Sequence, residues 1–414
     1  MRIAAARSPA LSAASVPAAF VMANALSYAL LLVAARTLST PEYGELSSLL
    51  GLLLVSTVPM LALQTVSARR VATETGADGL VRGTAVIAAV TAAALLTSSP
   101  ALGAFLHLSS VLGIALVAAT VPANAVLGTA MGVAQGRRRF GSLAALTLAA
   151  TGGRSAGGLV GLLAGHSPDA TLTGILAGTA IAAFIAAGGG RGSARHRIAL
   201  RRRAPSGMFA ETLHAGHALG AFLLLTSMDV LLARHILSSS EAGAYALGSV
   251  ITRGALWLPQ SAISLMFASL SETTRHHRTA RSAVAVVLTL GSAVVLGSAA
   301  LGHVVVGVVG GSKYHQLDGV IWLFALLGSL LSLVQLAILA GLAQRRTGRV
   351  ALLWGTIVID LAIVLGIGHV SEPGQLVTTL AAIAAGAAAV ALWLSLRRPA
   401  PAHRFAAEAE VSTI

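Results

Sequence analysis

The sequence predicts an all-α polytopic membrane protein, with twelve transmembrane helices in two parallel six-helix repeats. Three observations predict it: an apolar composition, an alternation of arginine between successive loops, and an internal duplication. Of 414 residues, 56% are hydrophobic and 10% are charged, whereas a soluble domain carries about 25% charged residues. That balance excludes an ordinary globular enzyme. It equally excludes a disordered chain, which needs the opposite composition. At about 20 apolar residues per spanning helix, about a dozen helices fit. Cysteine is absent, so disulfides, iron–sulfur clusters and Cys-type zinc sites are excluded. No cofactor is expected.

Apolar runs between polar breaks place the spans at 14–35, 46–67, 84–106, 109–134, 141–165, 169–188, 210–233, 243–268, 282–309, 318–342, 350–370 and 375–396. The first run follows Arg2 and Arg7, as in a signal peptide. It is too long for a signal core and has no clear cleavage site, so it reads as a retained first helix. Only His107 to Ser110 part the third span from the fourth. Span four carries Gly128, Gly132 and Gly136, and span five Gly153, Gly157, Gly161 and Gly165. Such four-residue spacings make flat ridges, read here as packing within a lobe rather than dimerisation. Gly153-Arg154-Ser155-Ala156-Gly157 matches the nucleophile-elbow pattern, but no strand precedes it and it falls in a span.

The formal net charge is +14, and every basic residue is arginine except Lys313. In a membrane protein, Lys and Arg collect in cytoplasmic loops. One alternate set of loops and termini holds Arg2 and Arg7; Arg69, Arg70 and Arg82; Arg137 to Arg139; and the six arginines between 191 and 203. It continues with Arg275, Arg278 and Arg281, then Arg345, Arg346 and Arg349, then Arg397, Arg398 and Arg404. The other set holds Arg36, Arg234 and Lys313, and Arg154 and Arg253 fall inside spans. Twelve spans with both termini in the cytoplasm satisfy the rule at every loop. The expected location is the plasma membrane, and the charge calls for no nucleic acid. The clusters at 136–140 and 275–281 read as topology signals, with binding of anionic head groups the alternative.

Two stretches about 200 residues apart are alike. Arg36-Thr37-Leu38 leads to Glu42-Tyr43-Gly44 with Pro59 beyond; Arg234-His235-Ile236 leads to Glu241-Ala242-Gly243 and Tyr245 with Pro259 beyond. Gly132-Val133-Ala134-Gln135-Gly136-Arg137 similarly parallels Gly341-Leu342-Ala343-Gln344-Arg345-Arg346. Six spans per half is an even number, so the repeats are parallel, about an axis along the membrane normal. The expected domains are an N-terminal lobe at 1–190, a basic cytoplasmic linker at 191–207, a C-terminal lobe at 208–396 and a cytoplasmic tail at 397–414.

The pattern Arg36-x-Leu38-x-x-x-Glu42-Tyr43-Gly44, then Pro59, then Ser67-Ala68-Arg69-Arg70, resembles the polysaccharide transporter family. This is the Wzx-type flippase branch of the multidrug/oligosaccharidyl-lipid/polysaccharide exporter superfamily. Met228-Asp229-Val230-Leu231-Leu232, Glu241-x-Gly243-x-Tyr245 and Leu258-Pro259 resemble its seventh and eighth helices. The resemblance implies movement of a lipid-linked oligosaccharide from the cytoplasmic to the outer leaflet by alternating access, for cell-surface polysaccharide biosynthesis. It implies membrane lipid, glycosyltransferases or a polymerase as partners. A drug/cation antiporter of the same superfamily is the alternative. An embedded glycosyltransferase or ligase is discounted because the outer loops are short, and no Walker motif is present.

Charges deep in spans are costly and usually face a bundle interior or a wet cavity. Arg154 and Arg253, one per half, are candidates to bind the phosphates of a substrate with paired hydrogen bonds; the alternative is a structural pair, such as Arg253 with Asp229. Asp229 and Asp360 are candidates for proton or cation coupling, or for structural charge. Asn24, Tyr28, Gln64, Asn124 and Gln335 are candidates to bind sugar hydroxyls, against plain interhelical hydrogen bonding. Pro59 and Pro259 are candidate hinges, against static shaping. Glu211, His214 and His217 sit near the cytoplasmic entrance, the histidines on one helix face.

Overall fold

The structure is a computed structural model that describes residues 9–73, 79–188, 207–270, 276–343, 348–366 and 370–396. Side chains are described within these ranges except at 9–20, 23, 260–270, 276–281, 337–343, 348–350 and 394–396. The expected linker, apart from Gly207, and the whole expected tail lie outside the described residues.

Among the described residues every regular element is helical, and fifteen α-helices build twelve spans. Span one is α1 (Pro9–Thr37). Span two is divided into α2 (Thr40–Ser56) and α3 (Val58–Ala72), and span three into α4 (Leu80–Thr97) and α5 (Ser99–Phe105). Then come α6 (Leu112–Gly136), α7 (Phe140–Gly165) and α8 (Pro168–Gly188). The second half holds α9 (Met208–Ile236) and α10 (Ser239–Leu270), then a ninth span divided into α11 (His276–Ala300) and α12 (Gly302–Val309). A 3₁₀ turn at Ser312–Leu317 leads to α13 (Ile321–Ala343), α14 (Gly348–Gly366) and α15 (Pro373–Leu396).

Seven stretches among the described residues are long and apolar enough to cross a membrane, Thr40–Ala72 and Met208–Ile236 among them. Their outer faces suit lipid: Leu213, Leu296 and Phe184 are 64% to 70% exposed. A helix can present such a face to hydrocarbon because its backbone polar groups are paired within itself.

The divisions have local causes. Pro59 has no N–H for the Val55 carbonyl, and the Thr57 N–H turns back to Leu54 and Val55 instead, so span two breaks at Thr57. Pro100 does the same to span three, which breaks at Ser98. Span nine breaks at Leu301, the corresponding place in the second half, without a proline. Pro259, by contrast, is buried inside the continuous α10. The candidate hinges are therefore unlike: one ends a helix and the other is absorbed by it.

Both repeats start their second span in the same way. Ser39 and Glu42 form a capping box, the Ser39 N–H donating to Glu42 Oε2 at 2.9 Å. In the second half the Glu241 N–H donates to Ser238 Oγ at 3.3 Å.

Glycine ridges set the tight crossings within the first half. Gly128, Gly132 and Gly136 of α6 lie against the carbonyls of Met60, Gln64 and Ala68 on α3. Gly153, Gly157 and Gly161 of α7 lie against Gly178, Gly174 and Ala170 of α8. These faces are used inside the bundle, as small-residue faces are when backbones must approach closely. The halves meet where α2 packs on α10 and α9, and α3 on α9. One buried apolar cluster runs through both, with Leu46 and Leu49 on one side and Leu232 and Tyr245 on the other.

Candidate functional site at the meeting of the two halves

Three arrangements of charge carry the candidate chemistry: isolated guanidinium groups, a cavity bearing two carboxylates, and clasps that join the halves at both ends.

Arg253 lies on α10, and its Nε and Nη2 are enclosed with no hydrogen-bond partner. The expected alternative, an ion pair with Asp229, is not formed. Asp229 Oδ1 is likewise enclosed and unpartnered. Arg253 nevertheless lies within electrostatic reach of Asp229 on α9 and of Tyr28 on α1. The Tyr28 hydroxyl is also enclosed without a partner, and it faces α10 at Gly254. The structure thus brings together Tyr28, Asp229 and Arg253, from both halves, with hydrogen-bonding capacity unspent. Unsatisfied buried polar groups of this kind are costly and are retained where a ligand or water satisfies them.

Arg154 is partly buried on α7 and forms no ion pair with a described residue. At 100° per residue it falls on the helix side opposite Leu163, one of the exposed apolar residues of α7, and so points into the first half. The nucleophile-elbow match around it, discounted from the sequence, is plain helix, with Ser155 Oγ 2.9 Å from Ser27 Oγ.

Asp229 and Asp360 face one small cavity within the second half, between α9, α13, α14 and α15. Its other walls are leucine and alanine, with Thr356 one turn before Asp360. Asp229 and Asp360 are 7% and 5% exposed. Two carboxylates in one apolar cavity repel each other when both are ionised, so the site favours a shared proton or a cation. Thr356 is the member that sequence reading missed; a threonine four residues before an acid is too common to single out.

The remaining candidates scatter. Gln64 Nε2 donates to Gln135 Oε1 at 3.1 Å, joining α3 to α6 within one half. Asn124 is buried and turned to Thr120 on its own helix. Asn24 is half-buried one turn before Tyr28, and Gln335 is half-buried on α13. His214 and His217 are exposed on α9, with ring centroids 5.3 Å apart.

The three cations of the Arg-poor loops all bridge the halves. Arg234, after span seven, donates from Nε to the Leu106 carbonyl at 3.0 Å and from Nη2 to the His107 carbonyl at 3.2 Å, at the end of span three. It also lies 3.7 Å from Glu45. Arg36, after span one, donates to the Val308 carbonyl at the end of span nine. Each half therefore caps the broken span of the other. Lys313 Nζ donates to the Arg36 and Leu38 carbonyls, both at 3.1 Å. Beside it, the ring of Tyr314 meets Tyr43 edge-on at 6.3 Å. Burial pushes the Tyr314 phenol up to about 12, so it stays a neutral donor. At the Arg-rich end, Arg70 on α3 grips Glu211 on α9 with two hydrogen bonds, at 3.0 and 3.1 Å.

No family model matches the chain, and no curated protein matches it in sequence. Solved structures do match its fold. One, an inward-facing multidrug resistance MATE family transporter of the MOP superfamily, has a TM-score of 0.68 at 13% identity, over 88% of this chain and 92% of its own. Another, the lipid II flippase MurJ in an inward closed conformation, has a TM-score of 0.68 at 12% identity, over 92% of this chain and 88% of its own. An outward-facing MATE family transporter reaches 0.60 at 13% identity, over 94% and 95%. The chain has the fold of these membrane transporters.

Proposed function

We propose that the chain is an alternating-access transporter that moves a lipid-linked oligosaccharide from the cytoplasmic to the outer leaflet. The observation that carries this reading is the Arg253 guanidinium, enclosed between the halves with two nitrogens unpartnered. A diphosphate-sugar head group cannot cross about 30 Å of hydrocarbon unaided. A planar guanidinium that spends none of its donors on protein acids suits its phosphates. Arg154 supplies a second such group in the first half. The likeness to a lipid II flippase supports the reading. The Arg-rich end faces the cytoplasm in this reading, which makes Arg36, Arg234 and Lys313 an outer clasp and Arg70–Glu211 an inner one.

Asp229 and Asp360 supply coupling, alternating between a bound proton or cation and a vacant cavity. That cavity also favours a second reading, a cation or drug antiporter, in which it takes the cargo itself.

The test is flipping of a fluorescent polyprenyl-diphosphate oligosaccharide in proteoliposomes, read by enzymatic access to the sugar. Flipping that fails in Arg253→Ala, with binding weakened, is the expected result. A double Arg154→Ala, Arg253→Ala variant that flips as fast as the parent would overturn the proposal. Transport of lipophilic cations, without flipping, would establish the antiporter instead.

A further inference from the structure

His303, His315 and Asp318 come together at the Arg-poor end from two pieces of chain, α12 and the 3₁₀ turn with the residue that caps it. His303 opens α12, His315 lies in the 3₁₀ turn, and Asp318 follows that turn. Both histidines address one carboxylate oxygen: His303 Nδ1 lies 2.8 Å and His315 Nδ1 3.3 Å from Asp318 Oδ2. The two imidazoles stack at 5.0 Å, 11° from parallel. The other oxygen, Asp318 Oδ1, is enclosed without a partner. Nothing in the transport reading uses this group.

We propose that His303, His315 and Asp318 form a binding site for a divalent transition metal of the zinc class. A tetrahedral zinc ion with ligands at about 2.0–2.1 Å holds its donors about 3.4 Å apart. The His315 Nδ1–Oδ2 distance of 3.3 Å lies close to that spacing, and the His303 distance of 2.8 Å is that of a hydrogen bond which the ion would replace. One ligand atom from each of the three residues fits within 4.8 Å of the others. His303 is 74% and His315 47% exposed, so the ion arrives directly from water, and small ring rotations that release the hydrogen bonds to Asp318 close the remainder. Two imidazoles and one carboxylate select zinc, nickel, cobalt or copper over magnesium and calcium, which prefer oxygen. The fourth position is left to water.

The site ties two pieces of the outer clasp. The turn that carries His315 also carries Lys313, which holds Arg36 and Leu38 of the other half. Val308, which accepts from Arg36, lies at the end of the helix that His303 begins. A bound ion therefore stiffens the piece of the second half that grips the first. That this hinders transport rests on the alternating-access reading; the binding itself does not.

The experiment is calorimetric titration of zinc chloride into the purified, tag-free chain, stripped of metal beforehand. One zinc per chain is expected, with no response to magnesium chloride. Affinity falls at least tenfold in a His303→Ala, His315→Ala double variant and in Asp318→Asn. Each variant's thermal midpoint without metal serves as its own baseline, and zinc should raise the midpoint of the parent alone. Cobalt supplied to the unmutated chain gives visible absorption bands of tetrahedral character, a reading that needs no variant. The proposal is overturned if the parent binds no zinc, if the double variant binds it as tightly, or if cobalt gives only the octahedral spectrum of the free ion.

Discussion

Gly44 and Gly243 touch across the two halves of the chain: a Cβ built on Gly44 would stand 2.9 Å from the Gly243 backbone nitrogen. They occupy matching places in the two repeats, two residues after Glu42 and Glu241. Two matching residues can meet only near the axis that relates the repeats, so the axis passes close to this contact. A Cβ on Gly243 would drive into the Thr40 carbonyl, which is backbone and cannot swing aside. Gly243→Ala is expected to destabilise the detergent-solubilised protein by about 1–3 kcal/mol, the usual cost of overpacking. Thermal unfolding checks it, with Gly141→Ala as control, since nothing lies near that position. Equal midpoints for the two variants would contradict the close approach.

Arg234 answers three acceptors with one planar group, and it is 5% exposed. Its loss strands the carbonyls of Leu106 and His107 and the carboxylate of Glu45. Arg234→Ala is expected to cost about 3 kcal/mol, within the range for breaking a buried charge pair. Arg234→Lys should recover little, because an ammonium cannot reproduce the guanidinium's fork. Chemical unfolding of the three proteins side by side checks this. Full recovery by lysine would show that charge alone matters there.

Acid should weaken the loop at the Arg-poor end through Asp318. The hydrogen bond to His303, then that to His315, holds its carboxyl below the usual carboxylate range. Its folded state therefore binds a proton less readily than the unfolded chain does. The stabilisation is complete above the unfolded value of about 3.9 and fades as pH falls below it toward the lowered folded value. In chelator, the parent's margin over Asp318→Asn should shrink as pH falls below about 4. A margin that grows in acid would reverse the assignment.

The twelve spans were legible because two signals act independently: apolar length fixes where helices lie, and arginine alternation fixes how many there are. The breaks at Thr57 and Ser98 follow from Pro59 and Pro100, but only Pro59 was singled out. Leu301 has no proline to announce it. The same arithmetic that counted the spans concealed part of the chemistry. Arg36, Arg234 and Lys313 were left over as exceptions to a charge rule, and their shared work becomes visible only when the carbonyls they cap are placed beside them. Carbonyl partners leave no mark in a sequence, since every residue has one. The metal-binding trio is spread over sixteen positions of mixed loop and helix, a spacing with no periodic signature. Arg253 drew notice for the opposite reason, since a charge inside an apolar span stands out, though the sequence left open whether it pairs with Asp229.

The last prediction concerns the other clasp. Arg70 and Glu211 join α3 to α9 at the Arg-rich end, and Arg70 is nearly enclosed while Glu211 is 42% exposed. Just inside this bridge, Ala62 of α3 is 1% exposed and lies against Gly216 of α9. The chain has no cysteine, so a thiol at Ala62→Cys reports this crevice alone. If the bridge latches the halves, Glu211→Gln replaces a bidentate ion pair with a guanidinium bonded to one uncharged amide oxygen, which weakens it. Opening becomes more frequent, and a maleimide should label the cysteine several-fold faster than in the Ala62→Cys parent. Arg70→Lys should give an intermediate rate, because it keeps the charge and loses the fork. The rate is measured in inside-out vesicles with a reagent that does not cross the bilayer. An unchanged rate in Glu211→Gln would mean that the bridge decorates a contact held by apolar packing alone, and that closure at this end is not set by charge.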